Sequence, residues 1–200
     1  MNRFKKFALI LVLPLIIAGC ASTPAKKSYI LSTDTTAINV NAGNLPSVMI
    51  SEVRSIGRLS TDMLYSRNTN EIASFVTSEW VAPPAQMLQA AITQDLEARN
   101  LFQYVVMAPN SVAAAYRLDL TILEMRQYFP SDVDSHIVLK VQARLINNSN
   151  NKIARTFNYY KEEKSPHYNA EGGVEAYNKA LNQISSQLAQ DLSQTLRNQR

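Results

Sequence analysis

The stretch IVLKVQARL, residues 137–145, alternates apolar and polar side chains with a period of two. Such alternation is typical of a β-strand with one buried face and one face in water. Antiparallel sheets permit this arrangement, whereas parallel sheets are usually covered on both faces. Lys140, Gln142 and Arg144 share the polar face, and Ile137, Leu139, Val141, Ala143 and Leu145 share the apolar face. The stretch therefore predicts a strand of an antiparallel sheet.

Two neighbouring segments extend this strand into a predicted three-stranded meander. Residues 116–122 alternate in the same way, and residues 152–162 return after the polar turn at 147–151. A short polar turn between two such runs favours direct pairing of the strands that it joins. Shorter strands are predicted around residues 28–31, 48–53 and 102–107, with a hairpin of 62–67 and 71–76 and a loop at 33–44.

Two segments have the apolar spacing of amphipathic helices. The first begins at Ala82-Pro83-Pro84, since proline suits the first helical turn, and Asn100 is its expected end. Its apolar positions are Leu88, Ala91, Ile92 and Leu96. The second is predicted after Gly172-Gly173, with apolar positions Tyr177, Ala180, Leu181, Ile184, Leu188, Leu192 and Leu196. Strands and helices together predict an α+β fold, a two-layer sandwich of a largely antiparallel sheet with both helices on one face.

The N-terminus has the form of a secretory signal peptide over residues 1–19. A basic start precedes the apolar run 7–17, which is shorter than the roughly 20 residues of a membrane-spanning helix. The run ends at Ile17-Ala18-Gly19-Cys20, which resembles the bacterial lipobox. The resemblance implies cleavage before Cys20 and a diacylglycerol on its thiol, with a further acyl chain (palmitate or similar) on the new amine. Residues 20–27 then form a short tether, and residues 28–200 a single periplasmic domain. Ala21 and Ser22, in place of an aspartate, resemble lipoproteins sorted to the outer membrane.

The composition argues against several classes of function. Without the three basic residues of the signal peptide, seventeen basic residues face sixteen acidic ones, so the mature chain has no basic field for nucleic acid. Cys20 is the only cysteine, and once it is acylated no thiol is left for a disulfide or a metal. His136 and His167 lie in no metal-binding spacing, and no nucleophile or phosphate-loop motif is present. We therefore predict a protein without catalytic residues, metal or cofactor, the lipid on Cys20 apart.

Two residues are candidates for contact with a partner protein. Trp80 is the only tryptophan and directly precedes the first helix, where it either packs in the core or anchors a partner. Asp132 and Asp134 lie in a loop after Pro130. Paired carboxylates can act as an acid and a base, but loop aspartates more often form turns. Trp80 and Asp132 are the predicted partner-binding residues.

Several short motifs follow one another along the chain: Tyr29-Ile30-Leu31 after the acylated cysteine, Leu64-Tyr65-Ser66-Arg67 at a strand end, Trp80-Val81-Ala82-Pro83-Pro84 before Met87-Leu88, and the final amphipathic helix. Their order resembles the ABC-type transport auxiliary lipoprotein family, the PqiC- and YmbA-like lipoproteins. The resemblance implies a non-catalytic outer-membrane lipoprotein that works with an MCE-domain protein in a lipid transport system, with phospholipid as its cargo.

A further expectation concerns assembly and a competing function. Because MCE proteins form rings, a matching receiver at the outer membrane is expected to be a symmetric homo-oligomeric ring. The alternative is a regulatory lipoprotein that activates a cell-wall synthase, although such proteins often need longer tethers than residues 20–27 provide.

Overall fold

A computed structural model of the chain describes residues 25–34, 43–57, 60–68 and 70–198. Cys20, the signal peptide and most of the tether lie outside the described residues, as does most of the predicted loop 33–44. The described residues form nine strands and two helices, which confirms the α+β class. The elements are β1 Lys27–Tyr29, β2 Val48–Ile50, β3 Arg54–Ser55, β4 Asp62–Ser66, β5 Ala73–Trp80, α1 Pro84–Ala98, β6 Val105–Met107, β7 Tyr116–Tyr128, β8 His136–Asn147, β9 Lys152–Lys164 and α2 Ala170–Arg197.

The predicted meander is present and carries the longest ladders of the sheet. β8 pairs antiparallel with β7 on one side and with β9 on the other. In the centre of the meander, Val141 lies opposite Ile122 and Tyr159. Along β8 the side chains at odd positions from Ile137 to Leu145 are buried, as the alternation predicts. The stretch that predicts the fold is thus the middle strand of the meander.

The other edge of β7 is covered by short strands, and here the sheet is mixed. β2, β3 and β4 pair one after another with β7, each in parallel. β4 also forms the predicted antiparallel hairpin with β5, while β1 runs parallel to β5 and β6 parallel to β2. The antiparallel ladders are longer, but parallel pairs are more frequent than the sequence suggests. Each parallel pair spans only two or three residues, too few for a period to show in the sequence.

Both helices lie on the face of the sheet that the apolar positions of β7 and β8 form, and their buried residues belong to one continuous core. α1 begins after Pro83, and the chain turns at Asn100, which has a φ of 49°, so the predicted ends are confirmed. α2 begins earlier than predicted, because Gly172 and Gly173 lie inside its first turn. The side-chain oxygen of Asn169 accepts a hydrogen bond of 2.8 Å from the Gly172 amide and caps this helix.

A polar contact joins the two helices within the core. The buried carboxylate of Asp95 on α1 accepts hydrogen bonds from Arg99, at 2.6 Å to Nε, and from Ser185 on α2. Arg99 also donates to Ser186 at 2.8 Å. A buried charge without partners is costly. The network therefore favours the relative position of the two helices in which Asp95 keeps its partners. Neither helix is long and apolar enough to cross a membrane, within the part of the chain that the structure describes.

Candidate functional site: an aromatic groove beside the tether

A surface groove of about 450 Å³ lies where β4, β5 and β7 approach the start of α2. Ligand sites in proteins typically have ~300–1,000 Å³, so the groove is large enough to hold part of a small molecule. We call it the aromatic groove, because five aromatic residues line it: Tyr29, Tyr65, Phe75, Phe129 and Tyr168. Ala25 and Lys27, at the end of the predicted tether, line the same groove.

Four of these five rings form one connected cluster. The ring centres of Tyr65 and Phe75 are 4.8 Å apart, and Phe129 meets Tyr65 edge to face at 5.7 Å. Tyr168 meets Phe129 edge to face at 4.8 Å. Edge-to-face pairs at these distances are attractive beyond the area that they bury. The cluster therefore gives the groove a stiff apolar wall.

Arg67 places a cation on this wall. Its guanidinium carbon lies 5.8 Å from the ring centre of Phe129, and its Nη1 donates a hydrogen bond of 3.3 Å to the hydroxyl of Tyr168. The neighbouring Tyr168 also raises the pKa of Arg67, which is exposed and stays charged. Lys27 supplies a second cation among the lining residues, and Glu171 an acidic group. The groove thus combines aromatic surface with positive charge at its edge.

The side chain of Gln127, on β7, holds the segments beside the groove together by hydrogen bonds. Its buried side-chain amide donates to Ser135 at 3.2 Å, to Ser165 at 3.3 Å and to the carbonyl of Asn169 at 3.0 Å. These contacts tie together the residue before β8, the residue after β9 and the N-cap of α2. Gln127 rests on Gly173, where an added Cβ would overlap its amide group. The Asn169 cap and this contact together fix the position of Tyr168.

Trp80 lies in the core rather than on the groove surface. Its side chain is 3% exposed, and its ring meets Tyr177 of α2 edge to face with the centres 5.7 Å apart. Both residues line a small cavity of about 60 Å³, together with Phe75, which also lines the aromatic groove. The core alternative for Trp80 is therefore the one that the structure supports. A ring this deeply buried cannot anchor a partner directly, which corrects its assignment as a contact residue.

Asp132 lies at the rim of the groove, apart from Trp80. Its side chain is 99% exposed, and its carboxylate is 3.8 Å from Nη1 of Arg67. An exposed ion pair at this distance contributes little to stability. A role of Asp132 in partner contact stays a prediction, as does the lipid on Cys20, which lies outside the described residues.

Within residues 25–34, 43–57, 60–68 and 70–198, no three His, Cys, Asp or Glu side chains come close enough to hold a metal ion. His136 stacks on Tyr128, with the ring centres 5.4 Å apart, and its Nε2 is 3.6 Å from a carboxylate oxygen of Glu162. Asp134 pairs with Lys164 at 3.1 Å and not with Asp132.

The aromatic groove cannot be recognised from the sequence, because distant segments build it. The four rings of its cluster come from β4, β5, the residue after β7 and the loop before α2, which span more than a hundred positions. Only the pairing of β4 with β7, which places Tyr65 beside Gln127, brings them together. Tyr65-Ser66-Arg67 carries part of the family resemblance, but its pattern alone does not indicate a site.

Comparisons with known proteins agree with the fold and the sequence motifs. The model of the family "ABC-type transport auxiliary lipoprotein component" matches residues 29–189. The crystal structure of protein XCC0632 from Xanthomonas campestris is similar, with a TM-score of 0.71, 13% identity and coverage of 86% of this chain and 96% of that one.

A second solved structure, of an uncharacterized protein, has a TM-score of 0.60 and 14% identity, and it covers 82% of this chain and 99% of its own. At these identities the two structures support the fold alone. No curated protein matches the chain. The family match covers most of the chain and nearly all of its described residues, and on that ground the chain belongs to the ABC-type transport auxiliary lipoprotein family.

Proposed function

We propose that this protein is an outer-membrane lipoprotein that receives an MCE-domain partner of an ABC-type lipid transport system, with phospholipid as the cargo. The observation that carries this proposal is the family match, which begins at residue 29, nine residues after the lipobox cysteine. A domain this close to an acyl anchor works next to a bilayer. The family's description as an auxiliary component of ABC-type transport supplies the process.

The anchor at Cys20 confines the domain to one membrane surface. One acyl chain gives only marginal, reversible binding, whereas two or three chains hold a protein effectively permanently. Confinement raises the effective concentration of the domain for any partner that reaches the same membrane. A protein without catalytic groups contributes to transport in this way, by binding and positioning an inner-membrane partner at the far membrane.

A ring of identical copies is part of the proposal. β9 pairs with β8 on one side only, and among the described strands none covers its other edge over Lys152–Lys164. Open strand edges are sites where another chain can add through backbone hydrogen bonds. A neighbouring copy that uses this edge would leave the core stripes of α1 and α2 in place.

Two experiments test the proposal. In membrane fractions, the wild-type protein is expected with the outer membrane, and Cys20→Ala is expected to lose both the lipid label and this fractionation. Light scattering of the mature chain, alone and with the MCE-domain protein, tests assembly. A strict monomer that does not bind the partner at tens of micromolar, an ordinary range for weak complexes (roughly 6–7 kcal/mol), would contradict both the ring and the docking.

A further inference from the structure

We propose that the end of the domain that carries the aromatic groove is a membrane-contact face, and that the groove holds the phosphate headgroup of a phospholipid in the anchoring bilayer. This inference rests on the acyl anchor proposed at Cys20. It adds the surface by which the anchored domain touches lipid.

The tether brings the groove to the membrane. Ala25 is the first described residue and lines the groove, and it follows Cys20 by five positions. At up to ~3.5 Å per residue, five residues reach roughly 18 Å, which is less than the thickness of a small domain. A partner protein would have little room between this end of the domain and the bilayer. Lipid is therefore the occupant that the position of the groove favours.

The most exposed apolar side chains also lie at this end. Among the large hydrophobic residues that the structure describes, Val133 is 86% exposed and Val76 is 76% exposed, more than any other. Val76 lines the groove, and Val133 follows Asp132, whose carboxylate is 3.8 Å from Arg67. Moving such side chains from water into the apolar part of an interface is favourable. At a bilayer surface, the side chains of Val76 and Val133 would leave water and so favour contact with the membrane.

The polar groups of the groove suit a phospholipid headgroup. Arg67 and Lys27 provide the positive charge, and a guanidinium binds phosphate oxygens with two parallel hydrogen bonds. The exposed pair of Arg67 with Asp132, at 3.8 Å, is weak enough for a phosphate to replace the carboxylate. Tyr65 and Tyr168 combine an aromatic ring with a hydroxyl, the residue type that is enriched at membrane–water interfaces.

The experiment uses the full lipidated chain reconstituted in vesicles. Because Cys20 is the only cysteine and is acylated, a single introduced cysteine is the one free thiol for a fluorescent label. Val76→Cys and Val133→Cys place an environment-sensitive fluorophore on the proposed face. Val112→Cys is the matched control, since Val112 is also exposed and precedes β7, whose start at Tyr116 lies roughly 40 Å from its end at Tyr128, beside the groove.

A nitroxide on the lipid headgroup reports contact with the bilayer. We expect quenching and a blue shift of the emission at positions 76 and 133, and neither at 112. Equal quenching at all three positions, or none at 76 and 133, overturns the membrane-contact face while leaving the anchor intact, provided that the protein floats with the vesicles. A wild-type chain that does not float overturns both the anchor and the face.

Charge variants test the headgroup site itself. With the label at position 76, Arg67→Ala and Lys27→Ala are each expected to shift the balance between the bound and free orientations roughly fivefold toward the free one in vesicles that contain phosphatidylglycerol. Arg67→Lys is expected to retain part of the binding, and Arg155→Ala, an exposed cation on β9, is the control. Equal effects of Arg67→Ala and Arg155→Ala would show that overall charge, and not the groove, attracts the lipid.

Discussion

The guanidinium carbon of Arg67 lies 5.8 Å from the ring centre of Phe129, and the same guanidinium donates to the hydroxyl of Tyr168. Phe129 is buried and contacts Tyr65, Phe75 and Tyr168. One phenylalanine therefore supports a cation and three other rings at the end of the domain that follows the tether.

Shortening this ring is expected to loosen the aromatic groove. Phe129→Leu keeps an apolar side chain but loses several aromatic contacts, each with ~0.5–1.5 kcal/mol, so the free energy of unfolding should fall by about 1–3 kcal/mol. Chemical denaturation measures this loss. Tyr160→Leu, at an exposed aromatic residue on β9, is the control and should change stability much less. Equal losses in the two variants would show that the cluster is not a stabilising unit.

A second prediction concerns the apolar face of α2, which packs against the sheet. Leu188 is fully buried, so Leu188→Ala removes contacts and leaves a cavity, with an expected cost of ~2–5 kcal/mol. The neighbouring Gln187 is exposed, and Gln187→Ala should change stability little. Thermal unfolding compares the two. An unchanged melting temperature for Leu188→Ala would mean that this side of α2 does not pack on the sheet.

Much of the fold follows from periodicity, and the exceptions have physical reasons. Alternation predicted β7, β8 and β9 because each has one buried face over many residues. Gly172-Gly173 in the sequence predicts a break before α2. Glycine also fits inside a helix where another group leaves no room for a Cβ, as the Gln127 side chain does at Gly173. The pairs of β2, β3 and β4 with β7 join distant segments by two or three residues, and no local pattern encodes such pairs.

The candidate site was less accessible to sequence reasoning than the fold. Asp132 was identified as a contact candidate and does lie at the groove rim, but its ion pair with Arg67 depends on the approach of two distant loops. Trp80 is a contact candidate because it is the only tryptophan, whereas the rings of the aromatic groove belong to more common residue types. The rarity of a residue in the sequence does not indicate a contact surface, since the tertiary structure decides which rings meet.

The effect of Gly173→Ala on stability should depend on the side chain at position 127. An alanine at this position would overlap the side chain of Gln127, which its three hydrogen bonds hold in place. Gly173→Ala should therefore destabilise by about 1–3 kcal/mol. In a Gln127→Ala background the same change should be neutral or stabilising by up to ~1 kcal/mol, because alanine favours helix over glycine. Thermal melts of the four proteins decide this, and a loss of the same size in both backgrounds would contradict the contact.

Glu163 on β9 makes a prediction about pH. Burial alone would raise its pKa, but hydrogen bonds from Lys179 and Gln183 of α2, both 2.6 Å long, outweigh burial and lower the pKa below its ordinary value of 4.5. The unfolded chain then binds the proton more tightly than the folded one. The contribution of Glu163 to stability is thus complete above pH 4.5 and is lost as the pH falls through the lower folded pKa.

Melting temperatures from neutral to acidic pH measure this contribution. Glu163→Gln should be less stable than wild type at neutral pH, and the gap should narrow in acid. Glu175→Gln, at an exposed position of α2, is the control. A gap that stays constant across the whole range would show that the pairing with Lys179 does not depend on the charge of Glu163.

We propose that acylation of Cys20 brings this domain to a membrane where it meets an MCE-domain partner. Pull-down from crosslinked cells, with wild type and Cys20→Ala expressed at equal levels, measures this encounter. The wild-type protein should recover an MCE-domain protein and the variant much less of it, since the effective concentration at the membrane is lost. Recovery of a cell-wall synthase in place of the MCE-domain protein would rule out the proposed partner, and equal recovery of that protein by both chains would rule out the role of the anchor.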